Sequence, residues 1–142
     1  MNKKRKYGNR KEVSINILDY NIGLAGVSGI GKTTLAKELC EKLAGEDGYI
    51  MFNMGREDGH DCIANIVSED IPDISTLEDV IDDIIDNRDT DYKDLKIVVF
   101  DTIDEFFKLA EKEAIRLYNK EQNDKKVKSI NAVDGGYGRG LD

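Results

Sequence analysis

Residues 26–33 read Gly26-Val27-Ser28-Gly29-Ile30-Gly31-Lys32-Thr33, the pattern G-x-x-x-x-G-K-T. Three glycines, a lysine and a hydroxyl at this spacing suit one task, which is to wrap a chain of phosphates. A polyphosphate concentrates negative charge, so a loop that grips it must turn its backbone N–H groups inward. Side chains obstruct that approach, and Gly26, Gly29 and Gly31 supply bare or left-handed backbone. A helix-type run from Lys32 onward then aims a helix N-terminus, with its unpaired N–H groups, at the same place. Lys32 is expected to reach the β- and γ-phosphates of a nucleoside triphosphate and to stabilise charge there during transfer. The Thr33 hydroxyl is expected to ligate Mg²⁺. The phosphate cradle is therefore Gly26, Val27, Ser28, Gly29, Ile30, Gly31, Lys32, Thr33 and Thr34.

Such a site also needs a carboxylate for the metal. Ile97-Val98-Val99-Phe100 is a short apolar run, as expected of a strand buried on both faces, and Asp101 follows it directly. In open parallel α/β sheets ligands bind beyond the C-terminal ends of the strands. Asp101 is thus the candidate Walker B acid, holding Mg²⁺ through water. Asp101 or Thr102 also fits the start of the next helix as a cap. Hydrolysis further requires a group that orients or deprotonates water. Three carboxylates are candidates: Asp104 and Glu105, just past Asp101, and Glu57, just past a second apolar run.

Several elements must position these residues. Ile22-Gly23-Leu24-Ala25 predicts a strand leading into the loop, and Val13 to Ile17 alternates as an edge strand would. A helix is expected from Lys32 to Ala44, with Leu35, Leu39 and Leu43 on one face, Cys40 buried, and Gly45 as its stop. A strand over 49–54 ends in the loop Gly55-Arg56-Glu57-Asp58-Gly59. Ser75-Thr76-Leu77-Glu78 spells a capping box for an amphipathic helix carrying Leu77, Val80, Ile81, Ile84 and Ile85. A long helix from Ile103 to Asn119 carries Ile103, Phe106, Phe107, Ala110, Ala114 and Leu117 as a core stripe. His60, beside Asp61 and Cys62, reads as a surface loop residue. Gly135 to Gly140 reads as a linker or frayed end, with Tyr137 and Arg139 able to meet a base and a phosphate.

The 142 residues suffice for one domain. Hydrophobic content of 39% against 35% charged is that of a water-soluble globular chain, and no apolar run approaches membrane-spanning length. Cys40 and Cys62 fit no metal spacing. No apolar core follows the charged N-terminus, so the expected location is cytoplasmic. The net charge of −8 is unevenly spread. Lys3, Lys4, Arg5, Lys6, Arg10 and Lys11 make residues 1–11 a basic mobile arm, which could contact nucleic acid or only aid solubility. Residues 69–94 hold eleven acids against Arg88 and Lys93, which excludes that stretch as a nucleic-acid surface. Residues 12–142 form the nucleotide-binding domain.

Three segments carry a family resemblance: Phe52 to Asp58, Asp101 to Glu105, and the tail from Asn119-Lys120 through Lys128–Ala132 to Gly135–Gly138. Together with the P-loop they make residues 13–142 similar to bacteriophage ATP-binding proteins of the AAA/RecA-like type, some of which are single-strand annealing or recombination ATPases. The resemblance implies an α/β P-loop NTPase fold with a RecA-like parallel sheet flanked by helices. It implies ATP and Mg²⁺ as ligands, single-stranded DNA and further copies of the chain as partners, and a bacterial or phage-infected host cytoplasm. RecA-type enzymes carry a catalytic Glu at the end of the second strand, which puts Glu57 first and Asp104 second as the hydrolytic group. The sequence departs from that pattern after Phe100, where no further strand of adequate length is legible. A RecA-like order would leave a gap in the sheet between the P-loop strand and the Asp101 strand. The expectation is an incomplete, truncated core, or one completed by another chain. The alternative order puts those two strands side by side.

Three functions remain in competition: a DNA-linked ATPase, a small-molecule kinase, and a non-catalytic nucleotide-binding or assembly module. A kinase clamps the moving phosphate with arginines. Outside the arm this chain has only Arg56, Arg88, Arg116 and Arg139. A GTPase is disfavoured, because no D-x-x-G occurs and Asn119-Lys120-Glu121-Gln122 lacks the Asp of N-K-x-D.

Overall fold

Tyr49–Met54 forms β1, and every residue in it but Ile50 is buried. A central strand of a parallel sheet meets packing on both faces, so it needs apolar side chains throughout. On one side β1 pairs with β2 (Ser68–Ile71), and on the other with β3 (Ile97–Asp101); both pairings are parallel. A computed structural model describes residues 16–55, 60–121 and 126–135. Its helices are α1 (Lys32–Ala44), α2 (Ile74–Asp86) and α3 (Ile103–Glu121), with short 3₁₀ turns at Ile17–Asp19, His60–Cys62 and Ile130–Gly135. The chain is an α/β protein whose parallel sheet is flanked by helices, in keeping with a P-loop NTPase fold.

The pleat of β1 divides the core in two. Tyr49 and Met51 pack with Ala36 and Cys40 of α1, joined by Ile66, Ile97 and Val99. Phe52 and Met54 pack on the other face with Ile71, Leu77 and Leu109, joined by Val80, Ile84 and Phe106. Each such fully buried side chain contributes about 1.5–3 kcal/mol. Phe100 of β3 meets Phe52 and Phe106 edge-on, with ring centroids 5.5 and 5.8 Å apart. The return from α1 to β1 is tight: a Cβ on Gly48 would lie 2.1 Å from the Ala44 carbonyl oxygen. The Gly48 carbonyl also accepts from the amides of Lys96 and Ile97, which sets the start of β3 against β1.

Several expectations need correction. Ile22 to Ala25 is not a strand. It pairs with no neighbour among the described residues, and Ile22 and Leu24 are 50% and 42% exposed. The side-by-side alternative is not realised, because β3 pairs only with β1 among the described residues. Nor is β3 buried on both faces; Val98 and Phe100 are about 40% exposed. Ile17 belongs to a 3₁₀ turn capped by Asn16 rather than to an edge strand, and Val13 to Ile15 lie outside the described residues.

In α1 the buried residues are Ala36 and Cys40, and Leu35 is exposed. The helix lies close to the sheet, and small side chains suit that approach. The capping box at Ser75 does not cap α2. Asp73 does so, accepting from the Thr76 amide at 2.8 Å, so the helix begins earlier than expected. Ile81 and Ile85 of α2 and Ile103, Phe107 and Leu117 of α3 are exposed, so both stripes are wider than the core they meet. Strand β2 was not foreseen; it has four residues and only Ile71 is buried. Past α3, the stretch from Val127 to Val133 is anchored. The Asn119 side chain donates to the Val127 carbonyl and accepts from its amide, while Ile130 and Val133 are buried. Among the described residues no helix is long and apolar enough to cross a membrane.

Candidate functional site

The loop at 26–33 is built by its glycines. Gly29 and Gly31 have φ of +77° and +95°, where a side chain would be strained. Gly31 is also the N-cap of α1 and offers no side-chain acceptor. Among the described residues the first amides of the helix thus have no side-chain cap, an arrangement that suits an external anion. Residues 16 to 31 are all exposed, so the loop is accessible. The Lys32 ammonium donates to the carbonyls of Gly26 (2.9 Å) and Val27 (3.1 Å) and so lies across the loop itself.

Thr33, the second residue of α1, meets the sheet. Its hydroxyl donates to Oδ2 of Asp101 at 2.6 Å, joining positions 68 apart in sequence. Asp101 is the last residue of β3 and lies in register with Asn53 of β1, which lies in register with Asp70 of β2. These three polar residues therefore cross the C-terminal end of the sheet on the α1 face. Asn53 is 4% exposed and donates to Asp70 Oδ1 at 2.8 Å.

His60 completes the cluster. It is 4% exposed, and its Nε2 lies 3.2 Å from the same Asp101 Oδ2. A ring nitrogen facing a carboxylate oxygen must carry the hydrogen, so Nε2–H is the donor. Its Nδ1 is buried without a hydrogen-bond partner among the described residues. The expectation of a surface loop residue is thus wrong: the turn after β1 folds the ring inward over the sheet end. The His60 hydrogen bond is the main cause that holds the Asp101 carboxyl below its ordinary 3.8. Burial works the other way, while the Thr33 hydrogen bond and the charges of His60 and Lys32 lower it further.

Thr33 and Asp101 present a hydroxyl and a carboxylate oxygen in contact. Hard oxygens suit Mg²⁺, and two protein ligands suit a cation that keeps waters and shares a substrate's phosphates. Among the described residues no three His, Cys, Asp or Glu side chains are grouped to cage a metal unaided. The donor set therefore fits Mg²⁺ brought with a nucleotide.

Of the hydrolytic candidates, Asp104 is exposed in the first turn of α3, with no hydrogen bond to Thr33, Asp101 or His60 among the described residues. Glu105 instead packs against Gly55, whose Cβ position is 3.2 Å from Glu105 Oε2, and pairs with Lys108. Glu57 and Arg56 lie outside the described residues, as do the basic arm at 1–11 and the tail segment from Gly136 to Asp142. His60 and Asn53 are the site residues that sequence reasoning missed. Asn53 carried a legible signal, being a lone amide at the end of an otherwise apolar strand. A single His in a polar loop carries none.

A family model described as an AAA domain matches residues 18–140. The chain belongs to this AAA-domain family, a class of nucleotide-binding P-loop ATPases. No curated protein and no solved structure matches it.

Proposed function

We propose that this protein binds ATP with Mg²⁺ at Gly26–Thr34, hydrolyses it, and couples turnover to single-stranded DNA in recombination or strand annealing. The observation that carries the nucleotide part is the 2.6 Å contact between Thr33 and Asp101, which unites the loop and the strand-end acid. In this reading the open amides of α1 and the loop bind the phosphates. Lys32 leaves its carbonyl contacts to balance the charge of the β- and γ-phosphates. Thr33 and Asp101 hold Mg²⁺, which neutralises phosphate charge when bound. Glu57, first by position, or Asp104 orients the attacking water. The DNA part rests on the basic residues at 3–11 and on the likeness of the motif segments to phage ATPases.

The test is ATP turnover with and without single-stranded DNA, for the wild type and Lys32→Ala. Turnover that depends on Lys32 and rises with DNA supports the proposal. Turnover indifferent to DNA removes the coupling, and none above the Lys32→Ala background removes hydrolysis.

A second reading is a nucleotide-binding assembly module. It is favoured by the exposed apolar side chains beside β3: Val98, Phe100, Ile103 and Phe107. ATP binding without turnover, together with concentration-dependent oligomers, would select it.

A further inference from the structure

His60 is a costly residue to bury. Its side chain is 5% exposed, and one ring nitrogen has no partner among the described residues. An apolar side chain would fill that space without leaving a desolvated polar atom. The fold keeps an imidazole there, and among the described residues its other nitrogen contacts Asp101 Oδ2 at 3.2 Å.

Among the described residues that oxygen has two donors. Thr33 approaches from α1 at 2.6 Å and His60 from the turn after β1. The two differ in what else they do. The Thr33 hydroxyl is itself placed to ligate the cation. His60 has no such duty, because a nitrogen engaged as donor to the carboxylate offers nothing to a metal. It can hold the Asp101 carboxylate at one rotation whether or not the cation is present. A carboxylate at a strand end otherwise turns freely about its side-chain bonds, and an ion with strict octahedral demands binds poorly to a ligand that must first be ordered. Partners that orient a metal ligand in this way change metal affinity by about 10–100-fold when lost.

We infer that His60 is a positioning residue for Asp101, fixing the carboxylate so that it and Thr33 receive the divalent cation in one geometry. This rests on the reading of Thr33 and Asp101 as the metal-holding pair. Asn53 and Asp70 continue the row beside Asp101, with Asn53 donating to Asp70. They have no part in the inference.

The experiment compares the full chain with His60→Leu, His60→Gln and His60→Asn. Leu fills the volume without a donor. The Gln amide nitrogen lies about as far from Cα as Nε2 and supplies the hydrogen, whereas the Asn amide falls short. For each protein, a fluorescent ATP analogue is titrated in EDTA. Mn²⁺ binding to the protein–nucleotide complex is then measured by electron paramagnetic resonance. The readout is the ratio of metal-dependent to metal-free affinity, which a loss of packing alone would not move.

The expected result is a ratio lowered about tenfold or more in His60→Leu and His60→Asn, and recovered to within about threefold of wild type in His60→Gln. Should His60→Leu fail to fold, the Gln and Asn pair carries the test, since both are polar and they differ in reach. Equal ratios in Gln and Asn, or a wild-type ratio in Leu, would make the ring a packing residue and overturn the role of His60 alone. Absence of any nucleotide binding by the wild type, in EDTA or with Mn²⁺, would overturn the nucleotide reading and this inference with it.

Discussion

The two faces of β1 have the same strand behind them and different endings. Ile50, Phe52 and Met54 point into an apolar layer shared with α2 and α3, and that layer stays apolar to the end of the strand. Tyr49 and Met51 begin a similar layer under α1, but the next residue on that face is Asn53, in register with Asp101 and Asp70. One face is devoted to packing throughout. The other packs at its start and turns polar where the strands end, beneath the N-terminus of α1. The lesson is positional: the packed apolar half of the α1 face sets where the polar half lies, so α1 and β3 bring Thr33 and Asp101 together at its end.

The contrast can be broken most severely from the packing face. Phe52→Ala removes a side chain buried to 1% and should cost about 3–5 kcal/mol, read as a lowered denaturant midpoint. A loss under about 1 kcal/mol would show that this face is not where stability lies. The opposite result is expected from Lys32→Ala. Among the described residues its ammonium donates to loop carbonyls, so the unfolding midpoint should hold while ATP turnover falls about 100-fold. A stability loss comparable to that of Phe52→Ala would erase the division of labour.

A smaller effect sharpens the boundary of the packing face. Asp73 caps α2, and Asp73→Ala should destabilise by about 1 kcal/mol, with Ser75→Ala close to neutral. If Ser75→Ala is the costlier change, the cap belongs to the Ser75 box after all.

The least effect concerns acid. The Asp101 carboxyl is held below 3.8, so its charged form is favoured by the fold. Its contribution is present above the ordinary carboxylate range and is lost as pH falls through the lowered value. Asp101→Asn should therefore flatten the acid limb of stability below about pH 4. An unchanged limb in acid titrations would mean that Asp101 is not held in this way.

How much of this was legible depended on distance along the chain. The ends of α1 and β1 follow from the sequence to the residue, because Gly31 and Gly45 bound one and an apolar run makes the other. The cap of α2 is ambiguous in sequence because Asp73 and Ser75 both offer an acceptor, and only the backbone direction into the helix separates them. Strand β2 escaped notice because Ser68, Glu69 and Asp70 show no strand pattern; the pairing with buried β1 makes them one. His60 escaped for a stronger reason, since its partner lies 41 positions away.

By itself, the sequence determined the turn of the loop at 26–33, since eight consecutive residues dictate their own backbone through glycine conformation and an uncapped helix start. It also determined the class of fold, through apolar runs of strand length alternating with helical periodicity. Only the tertiary structure decided that Thr33, Asp101 and His60 share one carboxylate oxygen, that the lead-in at Ile22–Ala25 pairs with no strand among the described residues, and that β3 is half-exposed. Those outcomes depend on which strands lie side by side and which surfaces remain uncovered. No local pattern encodes them, because the free energy that selects them is shared among residues far apart in the chain.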